Sequence, residues 1–393
     1  MNSDTSSPSH SHLILTSPDA FATIRQEVSE AIHRNDAPYI QNTLHVIANS
    51  KDISKASAAI FLKNTLDLVE KEGLDKQEVI KLLDEMIAWA EQNKRKLLRL
   101  DFKMRKAETL LALKEYKECL ALILETAKIL KQEDDKLGLV KLYYLESKVY
   151  YELKNLPRAK SSLTQSKSTC TFVYCPPFLQ AKIDLLNGVY LADERDYKTA
   201  TSHILEALEG FSMVQNKEMA AQCARYLILM KIMENKTSEA KTLMGHKLVV
   251  PYQKDVCIEM LGKINECVAE RNLKDCNEII QTNIKSISHD QFLINHLVYL
   301  CDTLIDSNIL KIIEPYSNVN VEYIGNQLGF DMPTIENRLR RMILDSRIDG
   351  TIDQETMCIS IKRQVKGCHK EQAEMEDILN VLSEATNTIS ATK

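Results

Sequence analysis

Glycine and proline are scarce in this chain, ten and nine among 393 residues, too few for a many-stranded fold that turns at short intervals. No sustained alternation of β-branched residues takes their place, so most of the chain is expected to be helical. No stretch approaches the roughly 18 uninterrupted apolar residues of a membrane span. The first residues lack the charged start and apolar run of a signal peptide. A dominant charge is missing too: the net charge of -5 gives no global attraction for nucleic acid or an anionic membrane. Ten cysteines are spread too thinly for a secreted disulfide scaffold and point to a reducing compartment. The expected location is cytoplasm and nucleus.

Catalytic signatures are equally missing. There is no Gly-x-x-x-x-Gly-Lys-Ser/Thr, no Gly-x-Gly-x-x-Gly, no His-Glu-x-x-His and no Gly-x-Ser-x-Gly. His10 and His12 lie in a polar tail with no third ligand held nearby, and Cys170 and Cys175 have no matching Cys/His pair at zinc spacing. Tyr116 and Tyr197 sit at helix breaks, where packing explains them. The sequence therefore offers no catalytic residue, no cofactor site and no metal site, and reads as a non-enzyme.

What is present is a repeat. Residues 1–18, rich in Ser, Thr, Pro and His, are expected to form a disordered tail. From 19 to 245 helical periodicity continues with short breaks. The small residues Cys119, Ala159, Ala200 and Ala240 recur at steps of 40, 41 and 40. Each follows a polar break, namely Lys114-Glu-Tyr-Lys, Lys154-Asn-Leu-Pro, Arg195-Asp-Tyr-Lys and Asn235-Lys-Thr-Ser. Twelve residues before the first three stand Ala107, Ser147 and Gly188, again small. Two antiparallel helices joined by a tight turn approach closely only where facing side chains are small, so these positions predict repeat packing. The pattern implies a right-handed, TPR-like helical-repeat solenoid with a concave binding surface. In the fourth copy Ile228 replaces the small residue, and that hairpin should pack differently.

Beyond 250 more helices are expected, including Val256–Val268 and Leu293–Leu304, and a winged helix over 304–361. In that unit Ile309–Ile313 reads as extended and ends at Glu314-Pro315. Val321–Leu328 reads as a helix, with Gly325 for close packing and Gly329 as its C-terminal cap. Thr334 is the expected cap of the next helix, whose apolar stripe is Ile335, Leu339, Met342 and Ile343. Arg347–Asp353 and Met357–Ile361 alternate apolar and polar residues and form the wing. A last amphipathic helix over 369–390 carries Met375, Ile378, Leu379, Leu382 and Ile389 on one stripe. Such a helix either folds back on its own domain or is lent to a partner; in the second case that stripe, with Ile352 and Ile359 of the wing, is the expected partner interface.

Arg338, Arg340 and Arg341 invite a nucleic-acid reading of the winged helix. Residues 301–363, however, carry seven Lys/Arg against ten Asp/Glu, and three of those acids, Asp349, Asp353 and Glu355, stand in the wing where phosphates would lie. Nucleic-acid binding draws most of its affinity from a basic surface, so these charges argue for a protein contact.

Helical repeats closed by a winged helix, with Ile312-Ile-Glu-Pro-Tyr-Ser and Met342-Ile-Leu-Asp in place, resemble the PCI domain family, drawn here over 195–363. The resemblance implies a non-catalytic scaffold subunit of the proteasome regulatory-particle lid. Its implied partners are other PCI lid subunits, the proteasome ATPase ring and core α-subunits. A paralogous signalosome subunit and a winged-helix nucleic-acid adaptor are the alternatives. The chain departs from the family in its repeats, where Ile204-Leu205 stands in place of aromatics.

Overall fold

The computed structural model describes residues 26–361, apart from 33, 35, 50–53, 73–74, 288–289 and 355, together with Met375 and Ile378. The tail 1–18 and the stripe residues Leu379, Leu382 and Ile389 lie outside the described residues. The chain divides into two compact units between Asn216 and Lys217.

The first unit runs through α1 (Ala37–Asn49), α2 (Lys55–Glu72), α3 (Lys76–Gln92), α4 (Lys96–Ala112) and α5 (Tyr116–Gln132), then α6 (Lys136–Glu152), α7 (Leu156–Cys170), α8 (Pro177–Asp193) and α9 (Tyr197–Met213). One apolar cluster, including Leu44, Leu62, Leu83, Met86 and Phe102, fills its beginning. A second, including Leu110, Ile123, Leu130, Leu142 and Val149, continues it. The cadence is finer than the 40-residue repeat. Helices α3 to α7 begin at residues 76, 96, 116, 136 and 156, so each hairpin is two nearly equal halves of one helix and one turn.

Six of the turns share one construction, the α7–α8 connection through Thr171 and Pro176 being built differently. Lys94, Lys114, Asp134, Lys154, Arg195 and Gln215 have φ between 52° and 70°, a left-handed conformation, and none is glycine. The N–H of the following residue reaches back to the carbonyl five residues before it. Glu115 bonds to Leu110 at 3.1 Å, Asn155 to Tyr150 at 2.9 Å and Asp196 to Leu191 at 3.0 Å. This is the Schellman closure, which satisfies carbonyls a helix end leaves open. The next helix then starts under a side-chain cap at Asp135, Asn155 and Asp196, each accepting from the backbone N–H three residues on. The polar breaks in the sequence are these turns, and the first residue of each is the left-handed one.

The small residues of the repeat meet across the hairpins, all of them buried. The Cys119 thiol donates to the Ala107 carbonyl at 3.3 Å, and the Ser147 hydroxyl donates to the Ala159 carbonyl at 2.8 Å. At Gly188 an added Cβ would stand 2.6 Å from Cγ1 of Ile204 and 3.3 Å from the Ala200 carbonyl oxygen. Ser147 has a second use: its hydroxyl lies 2.8 Å from the Tyr190 hydroxyl, and Tyr190 donates to the Ser147 carbonyl at 3.0 Å. That pair ties the α6–α7 hairpin to α8 through buried polar groups that satisfy one another.

The second unit opens with α10 (Lys217–Met233) and α11 (Thr237–Met244), the fourth hairpin. Ile228 is fully buried on α10, and Ala240 is buried on an α11 of only eight residues. Helices α12 (Val256–Glu270), α13 (Leu273–Ile287) and α14 (Gln291–Ile313) follow. The winged helix then adds β1 (Asn318–Asn320), α15 (Val321–Leu328), α16 (Met332–Leu344), β2 (Gly350–Asp353) and β3 (Cys358–Ile361). The sheet order is β1-β3-β2, antiparallel throughout, with Val319 opposite Ile359 and Ile352 opposite Ile359.

Three local expectations are corrected. Ile309–Ile313 is not extended; it is the end of the 23-residue α14, so a boundary at 304 would cut that helix. Leu300, Leu304, Ile309 and Ile313 are buried along its length, and this apolar face outweighs the β-branched composition of the segment. Thr334 is not the cap of α16. Asp331 holds the N-cap position, and Pro333 is tolerated in the first turn, where its missing N–H leaves nothing unpaired. Ile359 is 0% exposed and packs with Ile309, Val319, Ile324, Leu339 and Met342 in the unit's own core, so it cannot face a partner. Half-buried Ile352 packs against the same core. Both point inward because they are direct cross-strand neighbours on the face that α15 and α16 cover.

Candidate functional site

The arginines of α16 are mostly committed within the domain. Arg338 places Nε 2.7 Å from Oδ1 of Asp306, Nη1 3.0 Å from Oδ1 of Asp302, and Nη2 2.6 Å from the Asp302 carbonyl. Burial opposes its charge, yet the two aspartates outweigh it and leave the guanidinium pKa raised. Arg347 adds a bond to Oδ2 of Asp306 at 2.9 Å. Arg340 pairs with Glu336 at 2.6 Å, and Gln354 of the wing donates to the same carboxylate at 3.4 Å. Arg338 is thus a clasp between α16 and α14, and of the three arginines Arg341 alone is exposed with no carboxylate partner among the described residues. Asp302 and Asp306 lie one turn apart on α14, 36 and 32 residues from Arg338, so no local pattern marks this clasp.

With Arg338 and Arg340 paired to carboxylates, the backbone is the larger surface that the winged helix offers. β1 and β2 each have only β3 beside them among the described residues, so both outer edges present unpaired N–H and C=O groups. Both strands are short, three and four residues. Apolar surface accompanies them: Tyr316 and Tyr323 are exposed, with ring centroids 6.4 Å apart at 79°, and Leu344 and Met357 are exposed as well. An edge flanked by exposed aromatic rings suits addition of a strand from another chain. Of the predicted terminal stripe, Met375 and Ile378 are helical and 62% and 59% exposed. The repeat-packing residues lie inside the hairpins and offer no surface.

One cluster of metal-ligating types occurs among the described residues. Asp184 on α8 and His203 and Glu206 on α9 bring ligand atoms within 4.8 Å of one another. Lys167 already stands 3.7 Å from Oδ1 of Asp184, and Nδ1 of His203 is 3.3 Å from Oε2 of Glu206. A cation is therefore supplied by the chain itself, and burial, partly countered by Lys167, pushes the Asp184 carboxyl up. The group reads as an ion-pair network.

Residues 280–363 match the PCI domain family. Across 357 residues the chain is 33% identical to the "Probable 26S proteasome regulatory subunit rpn6" of Schizosaccharomyces pombe, covering 90% of this chain and 83% of that protein. It is 32% identical over 329 residues to the "26S proteasome non-ATPase regulatory subunit 11 homolog" of Arabidopsis thaliana, covering 84% of this chain and 78% of that one. The "26S proteasome non-ATPase regulatory subunit 11" of Dictyostelium discoideum is 29% identical over 344 residues, 86% and 83% of the two chains.

Proposed function

The chain belongs to the family of 26S proteasome regulatory subunits named rpn6 or non-ATPase regulatory subunit 11, and from that premise we propose that it is a non-catalytic scaffold of the regulatory-particle lid. The observation that carries this reading is the extent of the likeness: repeats and winged helix align together over 90% of the chain. The geometry supports it, because the winged helix commits Arg338 to its own α14 and leaves both outer sheet edges unpaired among the described residues. In this reading the repeats span 19–245, the PCI domain 195–363 includes the last of them, and the helix 369–390 is lent to a bundle of lid subunits. Its partners are other PCI lid subunits, the ATPase ring and core α-subunits, in cytoplasm and nucleus.

The test is affinity purification of the tagged full chain at native level, followed by mass spectrometry. Proteasome ATPases and lid subunits in the eluate support the proposal. Cullins with signalosome subunits, or a lone monomer, overturn it.

A further inference from the structure

Three lysines of the first unit share a feature that their neighbours lack. α6 carries Lys141, Tyr144 and Lys148 at steps of three and four, hence on one helical face, and α8 carries Phe178 and Lys182 one turn apart. Lys148 lies over the Tyr144 ring at 4.9 Å and Lys182 over the Phe178 ring at 4.4 Å. Lys141, Tyr144, Phe178 and Lys182 line a hollow of about 360 Å³ together with Asp101 and Glu108 of α4. Nearby lysines are tied to acids: Lys63 to Asp101 at 3.0 Å, Lys103 to Glu125 at 2.8 Å and Lys106 to Asp84 at 2.6 Å. Arg105 at the same hollow is held by Asp67. Lys141, Lys148 and Lys182 have no carboxylate within ion-pair distance among the described residues, although Lys148 and Lys182 are half-buried. Burial draws both of these ammonium groups below the ordinary lysine range. Lys148 and Lys141 lower Lys182 further, while Glu108 acts against the shift in each, joined at Lys148 by Glu152.

A half-buried cation without a counter-ion is unfavourable in the free chain and becomes favourable once an anion arrives. The geometry points to a binding site in and beside this hollow for an acidic segment of a partner polypeptide, its carboxylates meeting Lys141 and Lys182 at the hollow and Lys148 beyond the Tyr144 ring, while its backbone lies along Tyr144 and Phe178. Seven residues of helix separate Lys141 from Lys148 by ~10 Å, which a peptide in the polyproline II conformation covers in about three residues, one full turn, so that every third side chain faces the same way. The complementary ligand therefore carries an acid at every third position. Separate carboxylates can avoid Glu108 and Asp101, whereas an evenly charged phosphate backbone would be forced against them. This favours a peptide over RNA or DNA.

The probe is a fluorescein-labelled peptide of four Glu-Gly-Ser units, titrated by anisotropy against the purified full chain, with a Gln-Gly-Ser peptide as control. The acidic peptide should bind, the control should not, and affinity should fall as salt rises. Lys148→Gln with Lys182→Gln should weaken binding at least about tenfold, the scale of a lost charge-assisted contact. Lys148→Arg with Lys182→Arg, which keeps both charges, should retain it. The charge-matched control Lys117→Gln with Lys198→Gln, at exposed positions on α5 and α9, should leave binding unchanged. Melting curves identify any variant that fails to fold. Equal losses in the two Gln pairs would overturn the site, as would tighter, lysine-dependent binding of a twelve-nucleotide uridine strand.

Discussion

At Gly188 a single methyl group decides how close two helices come. In a helix interior Gly→Ala ordinarily gains roughly 1 kcal/mol. Here the new Cβ would stand 2.6 Å from Cγ1 of Ile204, a fully buried side chain, and 3.3 Å from a backbone oxygen, so neither neighbour can give way freely. Overpacking of this kind costs about 1–3 kcal/mol. Gly188→Ala is therefore expected to lower stability by about 1 kcal/mol in denaturant melts, the reverse of the usual sign. Ile204→Ala alone should cost more, yet the double variant should cost less than the sum, since the second change removes the clash. An additive pair would show that the contact is not what makes glycine necessary. The other small residues obey the same constraint by different means. Cys119 packs as a small hydrophobe, burial pushing its thiol up to about 11, and Ser147 spends its hydroxyl on two partners.

At the scale of elements, the winged helix separates residues that hold the domain together from residues it presents. Ile359→Asp would place a charge among Val319, Leu339 and Met342 and should cost roughly 4 kcal/mol, seen as loss of the cooperative melt. Met375→Asp with Ile378→Asp changes two exposed side chains and should leave the melt of the isolated chain within about 0.5 kcal/mol. The same pair should keep the chain out of the large particle on native gels. Normal incorporation would remove the terminal helix from the proposed interface. Much at this scale was legible in the sequence. The α15 bounds followed from Val321 and the glycine at 329, whose φ of 73° caps the helix, and the wing followed from its alternation. Alternation assigns residues to two faces without saying which is covered, and for that reason Ile359 was read outward. Ile309–Ile313 misled for a related reason. Five residues rich in isoleucine favour a strand locally, but their fate is set by helical turns that begin at Gln291. The Arg338 clasp needed a contact across 32 and 36 residues, which no local pattern announces.

For the whole molecule, the turns of the first unit carry the further lesson. Left-handed backbone at Lys94, Lys114, Asp134, Lys154, Arg195 and Gln215 recurs without glycine to mark it, which is why the twenty-residue cadence stayed hidden while the forty-residue one showed. Interchangeable turns make length a matter of phase. Excising 154–194 would join Leu153 to Arg195, exchanging one left-handed residue for another and one capped start, Asn155, for an equivalent one at Asp196. Such a chain, a full hairpin shorter, is expected to keep a cooperative melt and helical circular dichroism. Excising 154–183 removes eleven residues fewer, joins Leu153 to the middle of α8 and should lose that cooperativity. In this part of the protein a hairpin behaves as a codon does in a message: removed whole it leaves the remainder readable, and removed in part it garbles everything downstream.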